Sequence, residues 1–367
     1  MAKVEIGPIR PPSESRSLLI RLSRNCPWNR CLFCPVYKGE KFSIRKKEEI
    51  FKEIDYLSSI YEKIKKLLDQ KSLYQLSQEL DKFFDLSELD DVRRLLHWIY
   101  HNEFTVFLQD ADPLFRKKEE LIEIISYLKK SFPEIKRITT YSRGSTIARY
   151  SVDELKDLKK AGLNRIHTGL ESGSQEVLNL VCKGVNVEDV VTAGNKLKSS
   201  GIEYSLYFMP GLGGTALSKS HIEETVKVIN SAMPDFVRLR TLGLSKGIPM
   251  YDLIEKGLFD TQSEEEIVLE IKELIEGINI DTFITSDHSL NLLMEINGKL
   301  PDDKEKMLKK IEKFLNLPKD TRLKFILARR TYEVFELNEF LSLKNKKIDL
   351  EYEKIKNLTE KEINLLF

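Results

Sequence analysis

Cysteine is scarce in this sequence, with four in 367 residues, too few for disulfides to hold a chain of this length together. Net charge is nearly absent as well. Lys+Arg number 59 and Asp+Glu 58, a formal charge of +1, which excludes a globally basic nucleic-acid binder but not a local basic patch. No apolar run approaches the roughly 20 residues that a membrane helix needs. The opening MAKVEIGPIRPPSESR also lacks the apolar core of a secretory signal. The expectation is a soluble, cytoplasmic protein with no membrane partner. Glycine (17) and proline (12) are too sparse for a collagenous or low-complexity chain, and 41% hydrophobic with 32% charged residues describes a folded globular protein. At about 150 residues per domain the length allows one to three domains.

What cysteine there is lies crowded. Cys26, Cys31 and Cys34 fall within nine residues, and Cys182 stands alone. Without an export signal, such crowding points to metal ligation rather than disulfides.

Residues 1–16 read as an extended arm. After them, short β-branched and aromatic stretches alternate with helical patterns. The expected strands are 17–22, 104–108, 135–141, 164–170, 203–208 and 236–241. The expected helices are 45–66, 72–100, 116–131, 151–161, 174–182, 187–200 and 218–231. Ser151 with Glu154 forms a capping box, and Gly162 and Gly201 follow lysine-bearing last turns as stop signals. This alternation predicts parallel βαβ units, in an open doubly wound sheet or a partial (β/α) barrel. We take the partial (β/α)6 TIM-like barrel over 17–245, with a helical insertion at about 67–102. A mainly helical extension is expected over 246–367, with helices at 263–277, 301–316, 333–344 and 350–366 and one further strand at 278–285.

The triplet follows the first strand directly, as Cys26-Pro-Trp-Asn-Arg-Cys31-Leu-Phe-Cys34. A tetrahedral structural zinc needs a fourth ligand, yet Cys182 is distant and His97 is the nearest downstream histidine. Three thiolates without a fourth suit an iron–sulfur cubane with one iron left open. A structural zinc remains the alternative on these residues. In β/α barrels the chemistry sits at the C-terminal ends of the strands, and those exits are loaded here: Gln109-Asp110-Ala111-Asp112-Pro113, Ser142-Arg143-Gly144-Ser145, Glu171-Ser172-Gly173-Ser174 and Met209-Pro210-Gly211-Leu212-Gly213-Gly214. Arg238 and Arg240 add charge at the sixth strand.

A cysteine triplet after strand one of a six-stranded β/α unit resembles the radical S-adenosylmethionine (SAM) superfamily. The resemblance covers about residues 17–250. The usual spacing is C-x3-C-x2-C, whereas this chain has C-x4-C-x2-C. Gly169-Leu170-Glu171-Ser172-Gly173-Ser174 is most similar to the branch of methylthiotransferases, Elongator-type catalytic subunits and oxygen-independent coproporphyrinogen oxidases. The resemblance implies a [4Fe–4S] cluster on Cys26, Cys31 and Cys34, with SAM chelating the open iron. Phe33 would lie near the adenine. Asp110-Ala111-Asp112 stands where the family has a Gly-Gly-Glu stretch that holds the methionine amine, and Asp112 would supply the acceptor on a shorter arm. Glu171 would reach the ribose or the amine, although a helix N-terminal charge is its alternative reading. Lys183 would bind the methionine carboxylate, or interact only with a helix C-terminus. Gly211 would let backbone approach the adenine. Tyr141 and Arg143 would contact cofactor or substrate.

The implied reaction is reductive cleavage of SAM to a 5′-deoxyadenosyl radical, which takes hydrogen from a substrate, with flavodoxin or ferredoxin as electron donor. A small-molecule substrate is expected, and RNA is not indicated by charge. Only 16 residues precede strand one and no second cysteine cluster occurs, so neither a cobalamin domain nor an auxiliary cluster is expected. Three other readings stay open: a non-catalytic iron–sulfur or haem carrier on this fold, an RNA-modifying radical enzyme, and a zinc-stabilised protein.

Overall fold

The computed structural model describes residues 4–244, 246–343, 346–356 and 358. Ten strands occur among them: β1 (Leu18–Arg21), β2 (Ser23–Arg24), β3 (Ser43–Ile44), β4 (Thr105–Gln109), β5 (Arg137–Tyr141), β6 (Leu163–Glu171), β7 (Glu203–Phe208), β8 (Phe236–Leu239), β9 (Thr282–Thr285) and β10 (Gly298–Leu300). Eight of them join in one sheet in the order β1-β4-β5-β6-β7-β8-β9-β10, and β2 pairs with β3 in a separate ribbon. The first six sheet strands follow one another in chain order with helices between them. This is the α/β architecture expected, and the sheet does not close into a barrel.

The chain divides into two compact units. One comprises Met1–Asn29, Val36–His167 and Lys196–Glu203, the other Arg30–Pro35, Thr168–Asn195 and Tyr204–Phe367. In the first unit β1, β4, β5 and the start of β6 run parallel, with Leu18 opposite Val106, Val106 opposite Ile138 and Ile138 opposite Leu163. Every residue of β4 is buried, as a parallel strand covered on both faces requires. Helices Lys47–Leu68, Lys118–Ser131 and Val152–Ala161 pack in sequence along this unit. The capping box at the last of these is made: the Glu154 amide donates to Ser151 Oγ at 3.2 Å, and the Ser151 amide donates to Glu154 Oε2 at 2.8 Å. Trp98 is fully buried among Tyr61, Phe104 and Phe132, and its indole N–H donates to the Thr105 carbonyl at 2.8 Å. Burying such a ring contributes on the order of 2–3 kcal/mol.

The expected helix 72–100 is broken. A capping box at Ser72 and Gln75 opens Leu73–Gln78, a 3-10 turn follows at Leu80–Lys82, and Leu89–His101 resumes. Before that last helix, the Glu88 carboxylate accepts from the Asp85 amide at 3.2 Å. This side-chain bond gives the backbone an alternative to continuing the helix.

In the second unit β7, β8 and β9 run parallel and β10 closes antiparallel on β9. The residues beyond 245 thus supply two strands of the sheet as well as helices. Strand 278–285 appears as β9. Helices 263–277 and 301–316 appear as Glu264–Gly277 and Lys304–Leu315. Helix 333–344 shrinks to Leu337–Ser342, and an unexpected helix, Lys319–Arg330, precedes it. Of 350–366, Lys346–Ile355 covers the beginning, and residues 359–366 lie outside the described residues. No described helix is long and apolar enough to cross a membrane.

Candidate functional site

β1 ends at Arg21, and the β2–β3 ribbon closes the cysteine loop behind it. None of the four cysteines forms a disulfide. Cys26 lies in the first unit and is half-buried; Cys31, buried, and Cys34, half-buried, lie in the second. Asn25 and Asn29 flank Cys26 with φ of 67° and 46°, left-handed values that asparagine tolerates better than most residues. The turn at Asn29 aims its amide at Cys26 Sγ, 3.5 Å away. A donor to sulfur favours the thiolate, and such bonds tune a cluster's potential. Its side-chain amide donates to the Tyr37 carbonyl at 2.5 Å, fixing the turn.

In the second unit the segment 30–35 is held by backbone. The Leu32 amide donates to Val181 O at 2.9 Å, and the Met250 amide donates to Leu32 O at 3.1 Å. Leu32 and Phe33 pack on a buried cluster that includes Val177, Val181, Met209 and Met250. Cys31 Sγ sits 3.9 Å from the Lys183 carbonyl. Lys183 Nζ stands 5.6 Å from the Phe33 ring centroid and donates to Glu171 Oε1 at 2.8 Å. Both partners of that ion pair are nearly buried, at 12% and 10% side-chain exposure.

Glu171 ends β6 with φ of 68°, a conformation that costs a non-glycine residue about 1–3 kcal/mol and that tends to mark functional sites. The ion pair folds back over Gly169. A Cβ there would lie 2.1 Å from Glu171 Oε1 and 2.7 Å from Lys183 Nζ. Glycine therefore makes the space in which a carboxylate and an ammonium meet. Phe33, Glu171 and Lys183 come together here, beside the Cys31 thiol. Lys183 lies three residues past the helix Gln175–Leu180.

Beneath this cradle runs a buried polar chain. His221 Nε2–H donates to Met209 O at 3.1 Å and Nδ1 accepts from Ser172 Oγ at 2.7 Å. Burial pushes His221 down to about 4, so the ring is neutral with its proton on Nε2. Gly211 has φ of 85°, and its amide is committed to Glu270 Oε2 at 2.8 Å, with Ser218 Oγ donating to Oε1 at 2.6 Å. Burial raises Glu270 to about 7, against these hydrogen bonds. Gly211 thus serves as the left-handed turn out of β7, and its carbonyl accepts from the Gly214 amide at 3.1 Å.

Two expected acceptors are occupied by other partners. The Asp110 carboxylate is fully buried and accepts from Arg21 Nη2 at 2.7 Å, from Arg21 Nε at 2.9 Å and from the Tyr37 hydroxyl at 2.5 Å. Burial pushes it above the usual carboxylate range in spite of Arg21 and Tyr37, and the same burial, with Asp110 beside it, pushes the Tyr37 phenol up. The Asp112 carboxylate accepts from Ser142 Oγ at 2.6 Å and Thr146 Oγ1 at 2.5 Å, and burial raises it to about 6. Both carboxylates hold the 109–113 loop through internal bonds, and Ala111 sits between the two posts. Tyr141 packs against Phe107 and His167, and the Arg143 guanidinium lies 5.2 Å over the Trp28 ring. These five residues belong to the first unit.

Sequence reasoning missed Arg21, Tyr37 and Thr146 around the aspartates, and His221 and Glu270 beneath the cradle, and it met Ser142 only as part of a polar strand exit. Of those missed, only Arg21 left a trace, as a charge inside an apolar strand. Asp287 lies in a loop, where its Oδ2 accepts from the buried Arg238 at 2.9 Å. Cys182 is exposed beyond its helix rather than within it.

Three uncrosslinked thiols are the donor type a cubane takes, but among the described residues no three metal-ligating side chains stand assembled as a metal site. A paired carboxylate and ammonium match the amine and carboxylate of an amino-acid moiety, charge for charge.

Residues 72–229 match the family model of the radical SAM superfamily, whose members use a [4Fe–4S] cluster and SAM. The three cysteines lie upstream of the matched span. The chain is 31% identical over 120 residues to the tRNA uridine(34) acetyltransferase of Methanocaldococcus infernus, which is 32% of this chain and 22% of that protein. It is 22% identical over 191 residues to the heme chaperone HemW of Bacillus subtilis, covering 52% of this chain and 50% of the relative. The solved structure of the archaeal Methanocaldococcus infernus Elp3 with an N-terminal deletion aligns at a TM-score of 0.44 and 20% identity, over 62% of this chain and 58% of that one. The chain thus spans between about a fifth and a half of the length of these curated relatives.

Proposed function

Because residues 72–229 match the radical SAM superfamily model, we propose that this protein is a SAM-cleaving radical enzyme, with Cys26, Cys31 and Cys34 holding the cluster and the Glu171–Lys183 pair receiving SAM. The cluster and SAM, when bound, supply a reductively generated 5′-deoxyadenosyl radical that takes hydrogen from a substrate. The protein's own part is binding, orientation and exclusion of water.

The observation that carries this reading is the cradle at the end of β6. Glu171 and Lys183 are held at 2.8 Å over a glycine that a Cβ would fill. A zwitterionic amino acid exchanges this internal pair for two pairs of its own, Glu171 with the ammonium and Lys183 with the carboxylate. Because the pair is already nearly desolvated, the exchange costs little extra burial of charge, and each new charge-assisted bond contributes about 1.5–3 kcal/mol. Phe33, beside Lys183 and one residue before Cys34, offers a ring face to the adenine. The Asn29 amide, 3.5 Å from Cys26 Sγ, orients that sulfur. Asp110 and Asp112 act as positioning residues, fixing the loop after β4 from within. Tyr141 and Arg143 stand at the exit of β5 for substrate.

Two of the relatives are a tRNA uridine(34) acetyltransferase and a heme chaperone. A carrier on the same fold would bind the cluster without turning SAM over. The test is SAM binding to anaerobically reconstituted protein, by calorimetry, in wild type and Glu171→Gln. The variant keeps the shape and loses the charge, so affinity should fall at least tenfold with iron and sulfide content unchanged. Equal affinity removes Glu171 from the site.

A further inference from the structure

The helix Leu89–His101 carries His97 and His101 one turn apart on one face, outside the site described above. Their rings converge tip to tip: the two Nε2 atoms are 3.0 Å apart, with ring centroids at 4.4 Å and planes at 72°. We propose that His97 and His101 form a surface chelate for a divalent transition metal of the Ni(II) or Cu(II) kind, with the remaining coordination positions filled by water or by a ligand from outside the chain.

The separation carries the argument. Imidazole nitrogens bind such ions at about 2.0–2.1 Å, so two nitrogens 3.0 Å apart subtend about 94° at a shared ion. That is the cis angle of a square-planar or tetragonal centre, the geometry of N,O-ligated Cu(II) and Ni(II). A tetrahedral ion would need the tips opened to about 3.3 Å. In the metal-free protein one Nε2–H is shared between the rings, and on binding that proton moves to Nδ1 and leaves both lone pairs to the ion.

The pair is also pre-organised. Trp98, between the two histidines in sequence, is anchored in the core and bonded to the Thr105 carbonyl. The helix closes on Asn102 at φ of 52°, whose amide donates to Ile99 O at 3.0 Å. The last turn that presents both rings is thus fixed to β4, and the negative end of the helix favours a cation there. Burial, His101, Arg10 and Arg16 all hold His97 below its ordinary value, which keeps it unprotonated as a ligand must be.

Calorimetric titration of the anaerobic, cluster-loaded protein with Ni(II) tests this. One equivalent should bind, at least tenfold more weakly in His97→Ala and in His101→Ala, and unchanged in Cys182→Ser, which removes the exposed thiol as a rival ligand. Both histidine positions are solvent-facing and alanine favours a helix, so matching thermal midpoints would separate lost binding from lost folding. Absence of a stoichiometric Ni(II) site, unaltered binding in either histidine variant, or loss of binding only in Cys182→Ser would each overturn the assignment.

Discussion

Gly169→Ala isolates the cradle from the rest of the molecule. A Cβ at 169 would meet Glu171 Oε1 at 2.1 Å and Lys183 Nζ at 2.7 Å. Both are the far ends of flexible side chains, so the protein relieves the clash by swinging the ion pair away and keeps its backbone. Folding and cluster assembly should survive, whereas the two groups proposed to hold the SAM amino acid move off their positions. Losing one charge-assisted hydrogen bond costs about 1.5–3 kcal/mol, which corresponds to a Kd about 10- to 150-fold higher. The assay is calorimetric binding of SAM to reconstituted protein, with iron and sulfide measured on the same sample. A Kd within twofold of wild type, at equal iron content, refutes the reasoning: the pair would then be structural and SAM would bind elsewhere.

Arg21→Ala leaves the fully buried Asp110 without its cation, which should destabilise the protein by about 3–5 kcal/mol in denaturant titration; a loss below about 1 kcal/mol would mean that Tyr37 alone suffices. Asp112 titrates at about 6 in the fold against an ordinary 3.8, so the unfolded chain ionises first and the contribution to stability falls as pH rises from about 4 to 6. Asp112→Asn should therefore gain on wild type across that window, by at most about 3 kcal/mol, read from urea midpoints at both ends; a constant difference would sink the assignment. His221, lowered to about 4, works in the opposite sense: its contribution is complete above the unfolded value near 6.5 and is lost as pH falls toward 4.

The β/α series was legible because each parallel strand is a short apolar run and each helix carries its own cap, as Ser151 and Glu154 illustrate. The stretch Gly169 to Glu171 was picked out by its family resemblance, with the glycine and the carboxylate only two positions apart. The partners of the expected ligands were not. Arg21 meets Asp110 across 89 residues, and Glu270 meets Gly211 across 59; such pairs are created by strand order and leave no local pattern. The helix Lys319–Arg330 escaped notice because its buried residues, Leu323 and Phe325 to Ala328, run together instead of recurring every third or fourth position. Residues 282–300 read as part of an extension, but their pairing to β8 makes them sheet.

Anaerobic incubation of reconstituted protein with SAM and dithionite, followed by chromatography for 5′-deoxyadenosine, tests the central claim most directly. The account predicts 5′-deoxyadenosine and methionine from wild type, and neither above background from Cys31→Ala, which should also lose the cluster absorbance. Wild-type protein that holds its cluster, binds SAM and releases no 5′-deoxyadenosine would contradict it.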